Sequence, residues 1–252
     1  MQEDSMMETG TLKQILLITD GCSNQGEDPI AMASLAREHG ITVNVIGVVD
    51  RDTIDPKATR EIEGIATAGG GVHQIVYKQS LSQTVQMVTR QAMTQTIQGV
   101  VNKELQQILG NQSTLEELPP DKRGEVMDVV DELGEKSDLA LLVLVDTSAS
   151  MTSKLPTVKE SLIDLSISLN SRLGNNQFSI ALFPGKRNQV ENVLSWTTKL
   201  ESLSAIFSKI KMAGITPTGP AIKEAIQYMQ TYQSSRKNLL MHEDEFYDES
   251  NM

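Results

Sequence analysis

The sequence predicts an α/β fold: a mostly parallel six-stranded sheet with helices on both faces. Three observations carry this. Six runs of strand length are rich in Val, Ile and Leu. Helix-like stretches separate most of them. The run Leu139–Val145 (LALLVLV) is apolar without a break, the mark of a strand buried on both faces.

The first three strands are Gln14–Thr19 (QILLIT), Ile41–Val49 (ITVNVIGVV) and Val72–Tyr77 (VHQIVY), all rich in β-branched residues. Between them, Pro29–His39 reads as a helix that opens on proline and stops at Gly40. Pro56–Ala68 is a weaker helical pattern closed by Gly69–Gly71, and a long one runs from Ser80 to about Leu109. This β-α-β-α-β-α order needs crossover connections, and those make neighbouring strands parallel. Residues 110–138 hold nine acids against three bases. Pro119–Pro120 punctuates them, and Asp121–Leu133 is helical, so 101–138 reads as an acidic helical linker with a solvated face. After Leu139–Val145 come a helix over about Pro156–Leu173, a strand at Gln177–Phe183 and an edge strand at Val190–Trp196, which polar residues interrupt. Helices follow at about Leu200–Met212 and Gly219–Tyr232. The expected organisation is a tail (1–11), a first half (12–100), the linker (101–138), a second half (139–233) and an acidic disordered tail (234–252).

The chain has 252 residues, 39% apolar and only 4% aromatic, so the core must be aliphatic. A formal charge of −11 argues against a phosphate-backbone binder. The single cysteine, Cys22, excludes an internal disulfide and a Cys-rich zinc site. Residues 1–10 carry acids before any apolar run, unlike a secretory signal, and no segment approaches the ~20 apolar residues that span a bilayer. A soluble, cytoplasmic protein is expected.

Neither half looks self-sufficient. Each supplies three strands, and each alone would leave a buried strand at an open edge. Joined, they complete one sheet. Asp146-Thr-Ser-Ala-Ser150 after an apolar strand resembles the DxSxS signature of von Willebrand factor A (vWA) domains, a Rossmann-like α/β family. Gly214-Ile-Thr-Pro-Thr-Gly219 before a helix resembles that family's threonine loop. Leu16-Leu-Ile-Thr-Asp20-Gly21 resembles its fourth strand, and Ile41–Val48 and Gly70–Val76 resemble the fifth and sixth. The resemblance covers about residues 12–100 and 138–232. In the family DxSxS comes first, whereas here the Thr-Asp-Gly strand does. A circular permutation accounts for this, with residues 100–138 bridging the family's usual termini. The alternative is a dimer whose two chains exchange halves. The family's sheet order sets its first and fourth strands side by side, here Leu139–Val145 and Gln14–Thr19, and opens a crevice at their carboxyl ends.

The resemblance implies a MIDAS-type metal site for one Mg²⁺ (or Mn²⁺) on Asp146, Ser148, Ser150, Thr216 and Asp20. Mg²⁺ prefers six oxygens in near-octahedral geometry. Residues 146, 148 and 150 can be presented by one tight turn, Thr216 by a second loop and Asp20 by a third, directly or through water. Hydroxyls add oxygen without charge, so the ion stays positive enough to take a carboxylate from a partner protein. Thr218 competes with Thr216 for the threonine role. Each element also has a plain structural use, since Asp and Ser make turns and helix caps. Relatives of this kind in bacteria serve as adaptors, which implies a non-enzymatic binding module. Two other functions stay open: a Mg²⁺-dependent phosphatase or phosphotransferase using Asp146 as nucleophile, and a regulatory adaptor whose metal is structural. The phosphatase pattern wants a second acid where Ser148 stands. The remaining features read as structural: Gly69–Gly71 lacks a phosphate-loop lysine, His39, His73 and His242 lack ligand spacing, Cys22 is a passive thiol, Trp196 packs the edge strand and Pro184–Arg187 is a solvated basic turn.

Overall fold

The structure is a computed structural model that describes residues 10–49, 55–109, 114–186, 188–198 and 214–249. The helix expected at Leu200–Met212 and the residue Arg187 lie outside the described residues.

Six strands form one sheet: β1 (Leu12–Thr19), β2 (Thr42–Val49), β3 (Gly70–Tyr77), β4 (Leu139–Asp146), β5 (Asn176–Phe183) and β6 (Glu191–Thr197). Their order is β3-β2-β1-β4-β5-β6. All neighbours are parallel except β5 and β6, so the sheet is mixed by one antiparallel edge pair. The two halves meet at the centre, where β1 pairs with β4 from Leu12↔Leu139 to Ile18↔Val145. The sheet is thus completed only when both halves of the sequence come together at its centre.

The helices are α1 (Pro29–Glu38), α2 (Pro56–Ala68), α3 (Leu81–Leu109), α4 (Pro120–Lys136), α5 (Leu155–Leu169) and α6 (Thr218–Glu249). Strand alternation sorts them onto two faces. On one face Leu141, Val143 and Val145 of β4 pack with Val85 and Val88 of α3 and with Val158 and Leu162 of α5. On the other, Ala140, Leu142 and Leu144 pack with Ile62 of α2 and with Ile222 and Ile226 of α6. β4 is buried at all eight positions, as its unbroken apolar run predicts.

Two details depart from the sequence-based expectation. α5 ends at Leu169 rather than near Leu173, because Arg172 turns inward to hydrogen-bond the carbonyls of Gly134 and Ser137. α6 continues past Ser234 to Glu249, over residues that contain neither glycine nor proline. α3 runs to Leu109 as its pattern predicts, and α4 packs on it: Val130 is fully buried, and Gln98 contacts Met127. The bridge between the halves is thus an α3–α4 hairpin against the body of the domain. Among the described residues, no helix is long and apolar enough to cross a membrane.

Candidate metal centre

β1 and β4 leave the sheet side by side, and the residues just past their ends converge. The register carries Ile18↔Val145 one step further to Thr19 and Asp146. There Thr19 Oγ1 donates to Asp146 Oδ2 at 2.7 Å, and the Ser148 amide donates to Asp146 Oδ1 at 2.7 Å. Asp146 is fully buried. Burial pushes its carboxyl up to about 6, against the hydrogen bonds from Ser148 and Thr19, and the nearby Asp20 charge adds to the rise. A cation in this crevice would oppose that shift.

The DxSxS segment turns through a single 3₁₀ turn at Ala149–Met151. That turn sets Ser148 Oγ 3.1 Å from Ser150 Oγ. Ser150 Oγ donates in turn to Asp20 Oδ1 at 2.8 Å, across 130 positions of sequence. Two oxygens at right angles around an ion at about 2.1 Å lie about 3.0 Å apart. The Ser148 Oγ–Ser150 Oγ and Ser150 Oγ–Asp20 Oδ1 separations, which are hydrogen-bond lengths, are each compatible with that spacing. Among the described residues no three His, Cys, Asp or Glu side chains gather as a metal cage. The donor set is two carboxylates with hydroxyls, all hard oxygen, and it fits a small hard divalent ion.

The threonine loop is fastened to the loop after β1 by backbone geometry. The Thr216 amide donates to Asn24 Oδ1 at 2.9 Å, and the Asn24 amide donates to the Thr216 carbonyl at 3.1 Å. Gly219 lies so close to Glu27 that a Cβ there would sit 1.9 Å from the Glu27 carbonyl oxygen. Gly26, at φ +89, accommodates Pro220 in the same way. Thr216 and Thr218 are both buried. Among the described residues no hydrogen bond joins Thr216 to Asp146, Ser148, Ser150 or Asp20, and Thr218 Oγ1 is a buried hydroxyl without a partner. The structure thus brings Asp146, Ser148, Ser150 and Asp20 into one connected group. It secures Thr216 beside the loop that carries Asp20.

Three participants escaped the sequence reading. Thr19 braces Asp146, and its signal was its place in the Thr-Asp-Gly segment. Asn24 clasps the threonine loop, and nothing in its local sequence marks it. Lys154 places its Nζ 2.5 Å from Asp20 Oδ2, with both side chains buried. Its only sequence signal is a lysine four positions after Ser150. Elsewhere, Trp196 stacks on Tyr228 and Tyr232 at centroid distances of 5.8 and 4.2 Å, anchoring β6 to α6. Burial raises the Cys22 thiol pKa, helped by Glu61 and Asp55, as suits a passive thiol.

The fold and the site together define a mostly parallel α/β domain with a hydroxyl-rich oxygen cluster at the switch point of its sheet. The von Willebrand factor type A domain family matches residues 1–91 and, separately, residues 141–243. The chain is also 64% identical over 246 residues to uncharacterized protein YabS of Bacillus subtilis (strain 168), a span that covers 98% of this chain and 100% of that one. The crystal structure of an uncharacterized protein from Alicyclobacillus acidocaldarius subsp. acidocaldarius DSM 446 superposes with a TM-score of 0.82 at 42% identity, over 90% of this chain and 98% of that one. The chain belongs to the von Willebrand factor type A family. The first matched segment ends inside α3 and the second begins in β4, and the reversed motif order is consistent with a circular permutation. At much lower similarity, 17% identity and a TM-score of 0.27 over 85% of this chain and 46% of that one, stands proximal thread matrix protein 1 from the mussel byssus with a zinc-occupied MIDAS motif. That zinc is a property of the mussel protein.

Proposed function

We propose that this chain is a cytoplasmic, non-enzymatic adaptor that binds one Mg²⁺ (or Mn²⁺) and through it an acidic residue of a partner protein. Asp146, Ser148, Ser150 and Asp20 would hold the ion, with Thr216 joining from its loop. The observation that supports this most is the chain of Ser148 Oγ, Ser150 Oγ and Asp20 Oδ1, three hard oxygens from both halves of the sequence linked at 3.1 and 2.8 Å. When bound, the ion supplies an open position for the partner's carboxylate. The chain's own residues do the rest. Thr19 and the Ser148 amide fix the Asp146 carboxylate, and Asn24 holds the threonine loop in place.

A nucleophilic role for Asp146 is less well supported. Ser148 stands where the phosphatase pattern wants a second acid, and Asp146 is buried with one hydrogen bond accepted by each carboxylate oxygen. A nucleophile needs an oxygen turned toward its substrate.

The reading is tested with a displayed library of random peptides on the immobilised full chain. Peptides retained in Mg²⁺ are expected to be enriched in Asp and Glu, to elute with EDTA, and to lose about a hundredfold in affinity on the Ser148→Ala/Ser150→Ala variant, about 2.7 kcal/mol. Retention that survives chelation, on a chain still folded by circular dichroism, would leave the metal with at most a structural role.

A further inference from the structure

Lys154 stands where a lysine is costly. It occupies the position before α5, where the helix dipole disfavours a positive charge, and its side chain is only 7% exposed. Burying an ammonium requires an anion close by. The anion it uses is Asp20, the residue that links the first half of the chain to the serine pair. Asp20 Oδ2 accepts from Lys154 Nζ at 2.5 Å, while Asp20 Oδ1 accepts from Ser150 Oγ at 2.8 Å. Lys154 Nζ also lies 3.4 Å from the Ser150 carbonyl oxygen. The ammonium therefore touches two of the residues that would hold the metal.

Two carboxylates, Asp20 and Asp146, share this crevice, and their charges repel. Without a divalent ion, some other positive group must offset them. We infer that Lys154 is the chain's own internal cation for the metal centre: it holds Asp20 in place when the metal is absent and sets metal affinity by competing for that carboxylate. This rests on the metal-binding reading above. An ion entering the crevice either shares Asp20 with the ammonium, and meets its repulsion, or displaces it. Either way Lys154 weakens binding of the ion. The same side chain ties the loop after β1 to the DxSxS turn, so the site keeps its shape while empty.

The test is calorimetric titration of Mg²⁺ and of Mn²⁺ into the full chain and into Lys154→Met and Lys154→Gln. Thermal melts of all three in EDTA and in saturating Mg²⁺ accompany it. Met matches the length of the stem, and Gln keeps a hydrogen-bond donor for Asp20 without the charge. Both variants are expected to bind Mg²⁺ at least about tenfold more tightly than the unaltered chain, since a buried positive charge a few ångströms from the ion is removed. Both should melt lower in EDTA, with the gap closing as Mg²⁺ saturates the site. Equal or weaker binding by the variants, with the unaltered chain still binding, would reduce Lys154 to a structural brace and leave the metal reading intact. If no form binds Mg²⁺ or Mn²⁺, both ideas fall together. If Lys154→Met does not fold, the Lys154→Gln titration decides.

Discussion

Arg172→Ala is expected to destabilise the domain by about 3 kcal/mol in urea unfolding, although the residue belongs to neither metal-site motif. The residue is 6% exposed. Nε donates to the Gly134 carbonyl at 3.1 Å, Nη2 donates to the Ser137 carbonyl at 2.8 Å, and Nη1 donates to Asn176 Oδ1 at 2.5 Å. Gly134 and Ser137 close α4, so the guanidinium satisfies carbonyls that the end of a helix leaves unpaired. Removing it strands several buried acceptors at once. The site is the junction where the α3–α4 hairpin feeds β4, the central strand. Gly174 is packed there too, since a Cβ would stand 2.2 Å from the Ser137 carbonyl oxygen. Arg172→Lys should recover only part of the loss, because an ammonium cannot reproduce the planar fork. A cost below about 1 kcal/mol for the alanine variant would mean that this junction does not hold the two halves together.

The second large effect is expected at Gly219. A Cβ there would lie 1.9 Å from the Glu27 carbonyl oxygen and 2.7 Å from its carbon. The obstacle is backbone, so no side-chain rotation relieves it. Gly219→Ala must push the start of α6 away from the loop after β1, at a cost of about 3 kcal/mol. The same shift pulls Thr216 from Asn24, so metal affinity should fall along with the urea midpoint. An unchanged melting temperature would show that the clasp between the threonine loop and residues 24–27 is not needed.

The fold was legible because each strand is a run of β-branched and aliphatic residues, and because β4 lacks any polar interruption. The pairing of β1 with β4 was legible only through the family resemblance, since apolar periodicity does not name a strand's neighbour. The direction of β6 was not legible, because alternation looks the same in a parallel and an antiparallel strand. The inner end of α5 was missed for a tertiary reason: Arg172 looks like a helical surface residue until the carbonyls of Gly134 and Ser137 are placed beside it. In the site, the family resemblance implied Asp146, Ser148, Ser150 and Asp20, and these are joined by hydrogen bonds in the folded chain. Lys154 was not legible as a participant. A lysine after a polar turn is ordinarily solvated, and only the fold reveals that it is buried against Asp20.

The central claim is that one metal site is assembled from both halves of a permuted chain, and one experiment tests it most directly. Mg²⁺ and Mn²⁺ are titrated calorimetrically into the full chain, Asp20→Ala and Asp146→Ala, each first shown to be folded. The account predicts a single site in the unaltered chain and its loss in both variants. A site that persists in Asp20→Ala but vanishes in Asp146→Ala, or an unaltered chain that binds neither ion, would contradict it.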